Sequence, residues 1–380
     1  MKLRAAWLDD PATSAVSDVF RSAGHQVFFV GGCVRNTLLN APVTDIDIST
    51  DARPTQTIAL AKAAGMAAYP TGIDHGTVTI VTGGTPFEVT TFRKDVATDG
   101  RRAVVAFADT LEEDAQRRDF TMNALYSDPE GVIQDPTGGL QDLTERRFRF
   151  IGDAHQRIRE DYLRILRFFR FHAWYGRDLD ADGLAACAEL AEGLAQLSTE
   201  RVTAESLKLL GAPDPAPAVA SMEAAGVLAR VLPGADAKAL TRTVHFQADI
   251  DAPQDAIVRL ASLTASGADQ LRLSNVQKRQ YQELRDGMAS QQSPSALGQV
   301  LGYPMARDIL ILRAAMFEMP PVRSDFEAAE FASQQTFPVR AGDLPDSLKG
   351  AAIGEALTRL KAEWIASGFT LTRQDLLSGL

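Results

Sequence analysis

At about Gln141 the chain changes pattern, and that change limits the folds open to it. Ahead of it, short β-rich runs alternate with helical stretches that end in glycine. Behind it, Ala- and Leu-rich segments with helical periodicity dominate and strand signals fade. A chain of 380 residues is also too long for one compact core, which implies two to four domains or subdomains. The expected class is α+β: a small mixed-sheet head followed by an all-helical remainder.

Within the head, Ala12–Ala23 reads as a helix and Val27–Val30 as a strand. Gly31 and Gly32 interrupt, a short helix covers Val34–Leu39, and a strand covers Asp45–Ser49. Pro54 opens a helix that runs to about Ala64 and stops at Gly65. Thr77–Thr82 and Phe87–Phe92 are β-rich and joined through Gly83-Gly84, a hairpin signal. In the helical part, Gly211–Val219 and Leu232–Ala237 punctuate the helices.

Composition bears on location and partners. No run of about 18 apolar residues exists, so no membrane-spanning helix and no membrane association are expected. The N-terminal MKLRAAWLDD turns acidic where a signal peptide is apolar. Cys33 and Cys187 are too few for a disulfide framework, and neither has metal-binding spacing. A cytoplasmic protein is expected. Its net charge of −10 argues against a general nucleic-acid binder. Yet Arg146 to Arg177 holds nine arginines against three acids. That stripe suits phosphates, or else it is a solvated helix face.

Asp45 and Asp47 stand two apart in the expected strand, on one face. Two such carboxylates suit Mg²⁺, a hard cation that takes oxygen ligands and shares them with substrate phosphates. They also read as solvated acids on a strand edge. The preceding Gly31-Gly32 lets backbone approach a ligand, and a triphosphate fits there with Arg35 nearby. Glu88 is a candidate third metal acid, or a solvent-facing strand residue. In RRDFTMNALY, Arg117 and Arg118 suit phosphate, while Asp119 and Asn123, four apart on an expected helix face, suit a ribose hydroxyl. Asp119 or Thr121 also reads as a helix cap. In REDYLRILRFFRFHAWY, Asp161 and Arg164 share an expected helix face and offer a nucleobase both acceptors and donors. Glu160 and Arg164 fit a plain i,i+4 salt bridge. The five histidines form no metal-binding pair, and no P-loop or G-x-S-x-G motif occurs.

Together GGCVRN…DIDIS, FEVTTFR, RRDFTMNAL, DPTGGLQDL, EDYLRILRFFRF and LSTERVTAESLKLL resemble, in order, the motifs of class II tRNA nucleotidyltransferases and bacterial poly(A) polymerases. These families belong to the DNA polymerase beta-like nucleotidyltransferase superfamily. The likeness is dense from about Val27 to Leu210. MEAAGVLARVLPG and LRLSNVQKRQY are looser echoes, and past about Ser290 no informative match remains.

The resemblance implies two Mg²⁺ ions on Asp45 and Asp47, and a triphosphate seat of Gly31, Gly32 and Arg35. It implies ribose selection by Asp119 and Asn123, and a protein template of Asp161 and Arg164 that reads CTP and ATP. Arg118, Arg157 and Arg167 join the implied nucleotide-binding set. Phe92–Phe107 matches the family's flexible loop, linked to the change from CTP to ATP. Two departures stand out. The family carries Asp after the Arg of its Gly-Gly motif, where this chain has Asn36, so an ion pair becomes a neutral hydrogen bond at most. No C-terminal phosphohydrolase domain is recognised.

The implied layout is a nucleotidyltransferase head (1–140), a base-reading neck (141–210), a body (211–290) and a tRNA-binding tail (291–380). The implied activity is CCA addition to tRNA from CTP and ATP. An A-adding enzyme of a split CC/A system and a poly(A) polymerase are the rivals within the class. An RNA-binding protein without catalysis is the rival outside it.

Overall fold

A computed structural model of the chain describes residues 1–99, 102–264 and 266–380. The chain divides into two compact units. One comprises Met1–Glu205 with Ala224–Arg230, the other Ser206–Glu223 with Val231–Leu380.

Among the described residues, nine strands lie in the first unit: β1 (Val27–Val30), β2 (Asp47–Thr50), β3 (Ala67–Gly72), β4 (Thr77–Thr82), β5 (Thr85–Thr91), β6 (Arg93–Asp99), β7 (Arg102–Phe107), β8 (Tyr126–Ser127) and β9 (Ile133–Gln134). Seven form one sheet in the order β3-β4-β5-β2-β1-β8-β9. The β2–β5 pair is parallel and every other pairing is antiparallel, so the sheet is mixed as expected. The Gly83-Gly84 hairpin forms as the sequence signals: Thr82 pairs with Thr85, and both glycines have positive φ, 58° and 80°. Period-two alternation sets the faces. Ile48, Val78, Ile80, Phe87 and Val89 are buried, while Glu88, between two of them, is exposed.

Several boundaries differ from expectation. The strand expected at Asp45–Ser49 begins at Asp47, and the helix expected at Val34–Leu39 spans Gly32–Leu38. The strands β3, β8 and β9 carry too few alternating apolar residues to announce themselves. Phe92–Phe107, expected as a loop, contains the two antiparallel strands β6 and β7. The run RAVVAF supplies the β-branched residues such pairing favours. Residues 100 and 101 of that stretch lie outside the described residues.

Helices of this unit used below are α1 (Pro11–Ser22), α2 (Gly32–Leu38), α3 (Pro54–Ala63), α4 (Leu111–Gln116), α5 (Gly139–Glu145), α6 (Ala154–Glu160), α7 (Leu163–Tyr175), α8 (Ala181–Glu189) and α9 (Thr199–Leu210), the last crossing the unit boundary. The α1 start is written in sequence: Asp10 accepts from Ala12 N at 2.8 Å and Pro11 takes the first turn. The inner face of α7 buries Leu163, Ile165, Leu166, Phe168, Phe169 and Phe171. Phe171 stacks on Phe148 (5.2 Å) and Phe168 on Phe150 (5.6 Å), with Phe120 at 4.7 Å from Phe150. Phe120 follows Asp119 directly, so this aromatic core fixes α7 against the site.

Among its described residues the second unit holds helices and no strands. Its helices break where the sequence signals: one ends at Leu210 and the next begins at Ala216, and another gap runs from Val231 to Ala237. Arg259, 1% exposed, closes the first break by donating to the carbonyls of Leu210 (2.7 Å), Ala212 and Pro213 (3.3 Å). Among the described residues no helix is long and apolar enough to cross a membrane.

Candidate active site

The site begins at the glycine turn. Gly31 ends β1 and precedes α2 with φ 71° and ψ −117°, a conformation that excludes side chains. A Cβ there would meet Asn123 O at 3.5 Å and Arg118 Nη1 at 3.8 Å, whereas the space at Gly32 is open. The turn therefore brings Arg118 to the backbone just ahead of α2.

Asp47 opens β2 and pairs in parallel register with Glu88 of β5. Asp45 lies two residues ahead of the strand, exposed, with Thr44 Oγ1 donating to it at 3.1 Å. The shared strand face expected for Asp45 and Asp47 is thus not formed by ladder pairing. The electrostatics still join them. Burial pushes the Asp47 carboxyl up to about 6, Glu88 and Asp45 push the same way, and Arg118 and Arg35 oppose. An acid held up by other acids is what a cation would release. The oxygen donors Asp45 and Asp47 suit a hard divalent ion. Among the described residues no group of three or more His, Cys, Asp or Glu is arranged to hold a metal, so Glu88 does not complete a three-acid shell.

A second carboxylate lies deeper. Asp114 of α4 is fully buried. Its Oδ1 accepts from Arg117 Nε (2.9 Å) and Nη2 (2.7 Å), and its Oδ2 from Arg118 Nη2 (3.0 Å) and Tyr126 Oη (2.8 Å). Burial pushes this carboxyl up, but the Arg118 and Arg117 charges outweigh it and hold it at about 2. The two arginines expected to serve phosphate therefore share one acid, and the trio keeps a net positive charge. Arg118 also donates to Ser49 Oγ of β2 at 3.1 Å.

A polar relay links the rest. Arg167 Nε of α7 donates to Asp119 Oδ2 at 2.7 Å, and Asn123 Nδ2 donates to Asp119 Oδ1 at 3.0 Å. Asn123 Oδ1 accepts from Arg35, Arg35 Nη2 donates to Asn36 Oδ1 at 2.9 Å, and Asn36 Nδ2 donates to Pro42 O at 2.7 Å. Burial raises the Asp119 carboxyl, while Arg167, the Asn123 amide and Arg164 bring it down to about 2. Asp119 and Asn123 do meet, though not on a helix face. Phe120 bridges to Phe150 and Thr121 N donates to Arg149 O at 3.0 Å, so the backbone is taken and only a 3₁₀ turn, Thr121–Asn123, follows. Neither Asp119 nor Thr121 caps a helix there.

The helix expected through Asp161 and Arg164 is broken. α6 ends at Glu160, Asp161 is extended (φ −156°, ψ 104°), and α7 starts at Leu163. Asp161 Oδ1 accepts from Leu163 N at 3.1 Å, which favours the break, and Oδ2 pairs with Arg201 at 2.7 Å. Arg164 makes the expected bridge to Glu160 (2.6 Å) and donates to Arg157 O (2.7 Å) and Arg117 O (3.2 Å). Arg157 donates to Gln116 O (3.0 Å) and Arg117 O (3.2 Å) and pairs with Glu160 at 2.6 Å. Both arginines brace the break against the end of α4.

Sequence reasoning missed Asp114, Tyr126, Phe171 and Tyr175. Asp114 had a signal, lying three and four residues before Arg117 and Arg118. Phe171 and Tyr175, whose rings lie 5.0 and 4.4 Å from the Arg35 guanidinium, had none, because only the fold brings α7 to α2.

Residues 27–149 match the poly A polymerase head domain, and residues 178–238 match the probable RNA and SrmB-binding site of polymerase A. The chain is 42% identical over 217 residues to a CCA-adding enzyme of Geobacillus thermodenitrificans, covering 56% of this chain and 52% of that one. It is 42% identical over 203 residues to the human mitochondrial CCA tRNA nucleotidyltransferase 1, covering 52% and 46%. The chain thus spans about half the length of the curated relatives it matches. The structure of the Bacillus stearothermophilus CCA-adding enzyme in complex with CTP superposes with a TM-score of 0.75 at 29% identity, covering 94% of each chain. The Thermotoga maritima CCA-adding enzyme complexed with tRNA shares the fold, with a TM-score of 0.70 at 17% identity, covering 100% of this chain and 98% of that one. In its ordered motifs, its two domain matches and these relatives, the chain is similar to the class II family of CCA-adding enzymes and poly(A) polymerases.

Proposed function

We propose that this protein is a CCA-adding tRNA nucleotidyltransferase, transferring CMP, CMP and AMP from CTP and ATP to the tRNA 3′ end with release of pyrophosphate. The observation that carries the reading is Asp47, raised to about 6 among Glu88 and Asp45, next to a glycine turn faced by Arg118. Relatives named for that activity, at 42% identity, support it.

In this reading Asp45 and Asp47 hold a divalent ion, Mg²⁺ by the hardness of their oxygens. Such an ion supplies a lowered pKa at the primer 3′-hydroxyl and positive charge against the α-phosphate and pyrophosphate. Gly31, Gly32, Arg35 and Arg118 seat the triphosphate. Asp119 and Asn123, locked by Arg167 and Arg35, present their remaining lone pairs to the ribose hydroxyls. Asp161 and Arg164 read the base edge from the α6–α7 break, which Arg157 keeps in place. The first 140 residues form the head, 141–210 the neck, 211–290 the body, and 291–380 a tail that grips tRNA. The site of action is the cytoplasm.

The matched family models carry poly(A) polymerase names, so an A-adding or poly(A)-forming enzyme is the competing reading. Purified protein is offered tRNA transcripts ending before C, CC and CCA, with CTP and ATP separately. Addition of C to the shortest transcript is expected. Addition of A alone, or long A tails, would overturn the CCA reading.

A further inference from the structure

Asn36 has both ends of its amide committed. Its Oδ1 accepts from Arg35 Nε and Nη2, at 3.2 and 2.9 Å, and its Nδ2 donates to Pro42 O at 2.7 Å. An arginine only donates and a proline carbonyl only accepts, so the neighbours fix the amide's orientation. The residue therefore ties the last turn of α2 to the segment that leads to Asp45.

The charge around Arg35 is the second observation. Arg35 is 5% exposed. Among the described residues no carboxylate pairs with it. It donates to the Asn36 and Asn123 amide oxygens, lies against the rings of Phe171 and Tyr175, and has a side-chain hydrogen bond with Tyr175. Burial lowers its pKa and Arg170 acts the same way, while Tyr175 and, more weakly, Asp119 oppose them. The carboxylate that acts on it, Asp119, is taken by Arg167 at 2.7 Å. A buried guanidinium with neutral partners is held at a cost unless an anion meets it. An aspartate at position 36 would supply that anion from the protein. It would also set two acceptor oxygens against each other at Pro42.

We propose that Asn36 is a positioning residue that sets the charge of the triphosphate seat. It orients Arg35 without neutralising it, so the balancing anion is a phosphate of the incoming nucleotide. The proposal rests on the nucleotidyl-transfer reading of the site and adds the reason why an amide, and not an acid, follows Arg35.

The test measures binding of ATP and of adenosine, by calorimetry without tRNA, to the wild-type full chain, N36D and N36L. N36D is expected to weaken ATP at least about tenfold, the scale of one added charge beside a bound phosphate, and to leave adenosine within about twofold. N36L removes all three hydrogen bonds without adding charge and is expected to weaken ATP less than about threefold. Wild-type ATP affinity in N36D, or equal losses for both ligands in both variants, would overturn the proposal. If N36D does not fold, N36L decides: a loss below about threefold supports the proposal and a larger one overturns it. Wild-type protein that binds ATP but adds no nucleotide to any tRNA transcript overturns the functional reading and leaves the charge assignment intact. Wild-type protein that binds no ATP overturns both.

Discussion

Asp47 and Asp119 are carboxylates of the same unit, and burial pushes both up, yet they end far apart. Asp119 is held at about 2 by Arg167, Asn123 and Arg164. Asp114 is held at about 2 in the same way by Arg118 and Arg117. Asp47 sits at about 6, because after burial its largest influence is another acid, Glu88. Burial alone therefore does not mark a working carboxylate; the sign of its neighbours does. Two acids are made into structure by arginines, and one is left among other acids.

Removing the uncompensated acids breaks this comparison most severely. D45A and D47A are each expected to lower nucleotide incorporation on the order of 10³-fold, the scale of losing a preorganised electrostatic stabiliser. Their unfolding curves should stay cooperative. Incorporation within tenfold of wild type in either variant would contradict the role assigned to that acid.

The compensated acids should respond in stability instead. D114N strands two partly buried arginines, whose side chains are 12% and 18% exposed. Urea unfolding should show a loss of about 3–5 kcal/mol, the scale of breaking a buried ion pair. A loss below about 1 kcal/mol would mean that Asp114 is not the hub described.

The contrast also explains what the sequence could announce. Asp45, Asp47, Gly31 and Arg35 were legible because their chemistry lies within one short stretch. The Gly83-Gly84 hairpin and the helix breaks after Leu210 and Val231 were legible because turn residues act locally. Asp161 was misread as mid-helix, although an aspartate just ahead of LRIL is also a helix-start signal. The Asp119–Asn123 contact was foreseen for the wrong reason, since a bridge from Phe120 to Phe150 replaces the helix. The placement of Arg35 between Asn123 and the rings of Phe171 and Tyr175 depends on packing between segments far apart in the chain, and no local pattern encodes it.

The smallest effect is the most telling in sign. The Asp47 carboxyl titrates at about 6 in the folded chain against an ordinary value of 3.8. The folded chain thus binds that proton more tightly than the unfolded one. The penalty of ionising Asp47 is absent below about pH 4 and complete above about pH 6. D47N, which cannot ionise, should gain about 1–2 kcal/mol over wild type at high pH, after allowing for solvent screening, and the gain should vanish on acidification.

Melting temperatures of wild type and D47N, from about pH 8 to about pH 4 and with or without Mg²⁺, test most directly whether Asp47 is the acid kept for a cation. Without metal, D47N should melt higher than wild type at about pH 8, the two should converge by about pH 4, and Mg²⁺ should raise wild type but not D47N. A lower melting temperature for D47N at about pH 8, or an equal rise of both proteins with Mg²⁺, would contradict it.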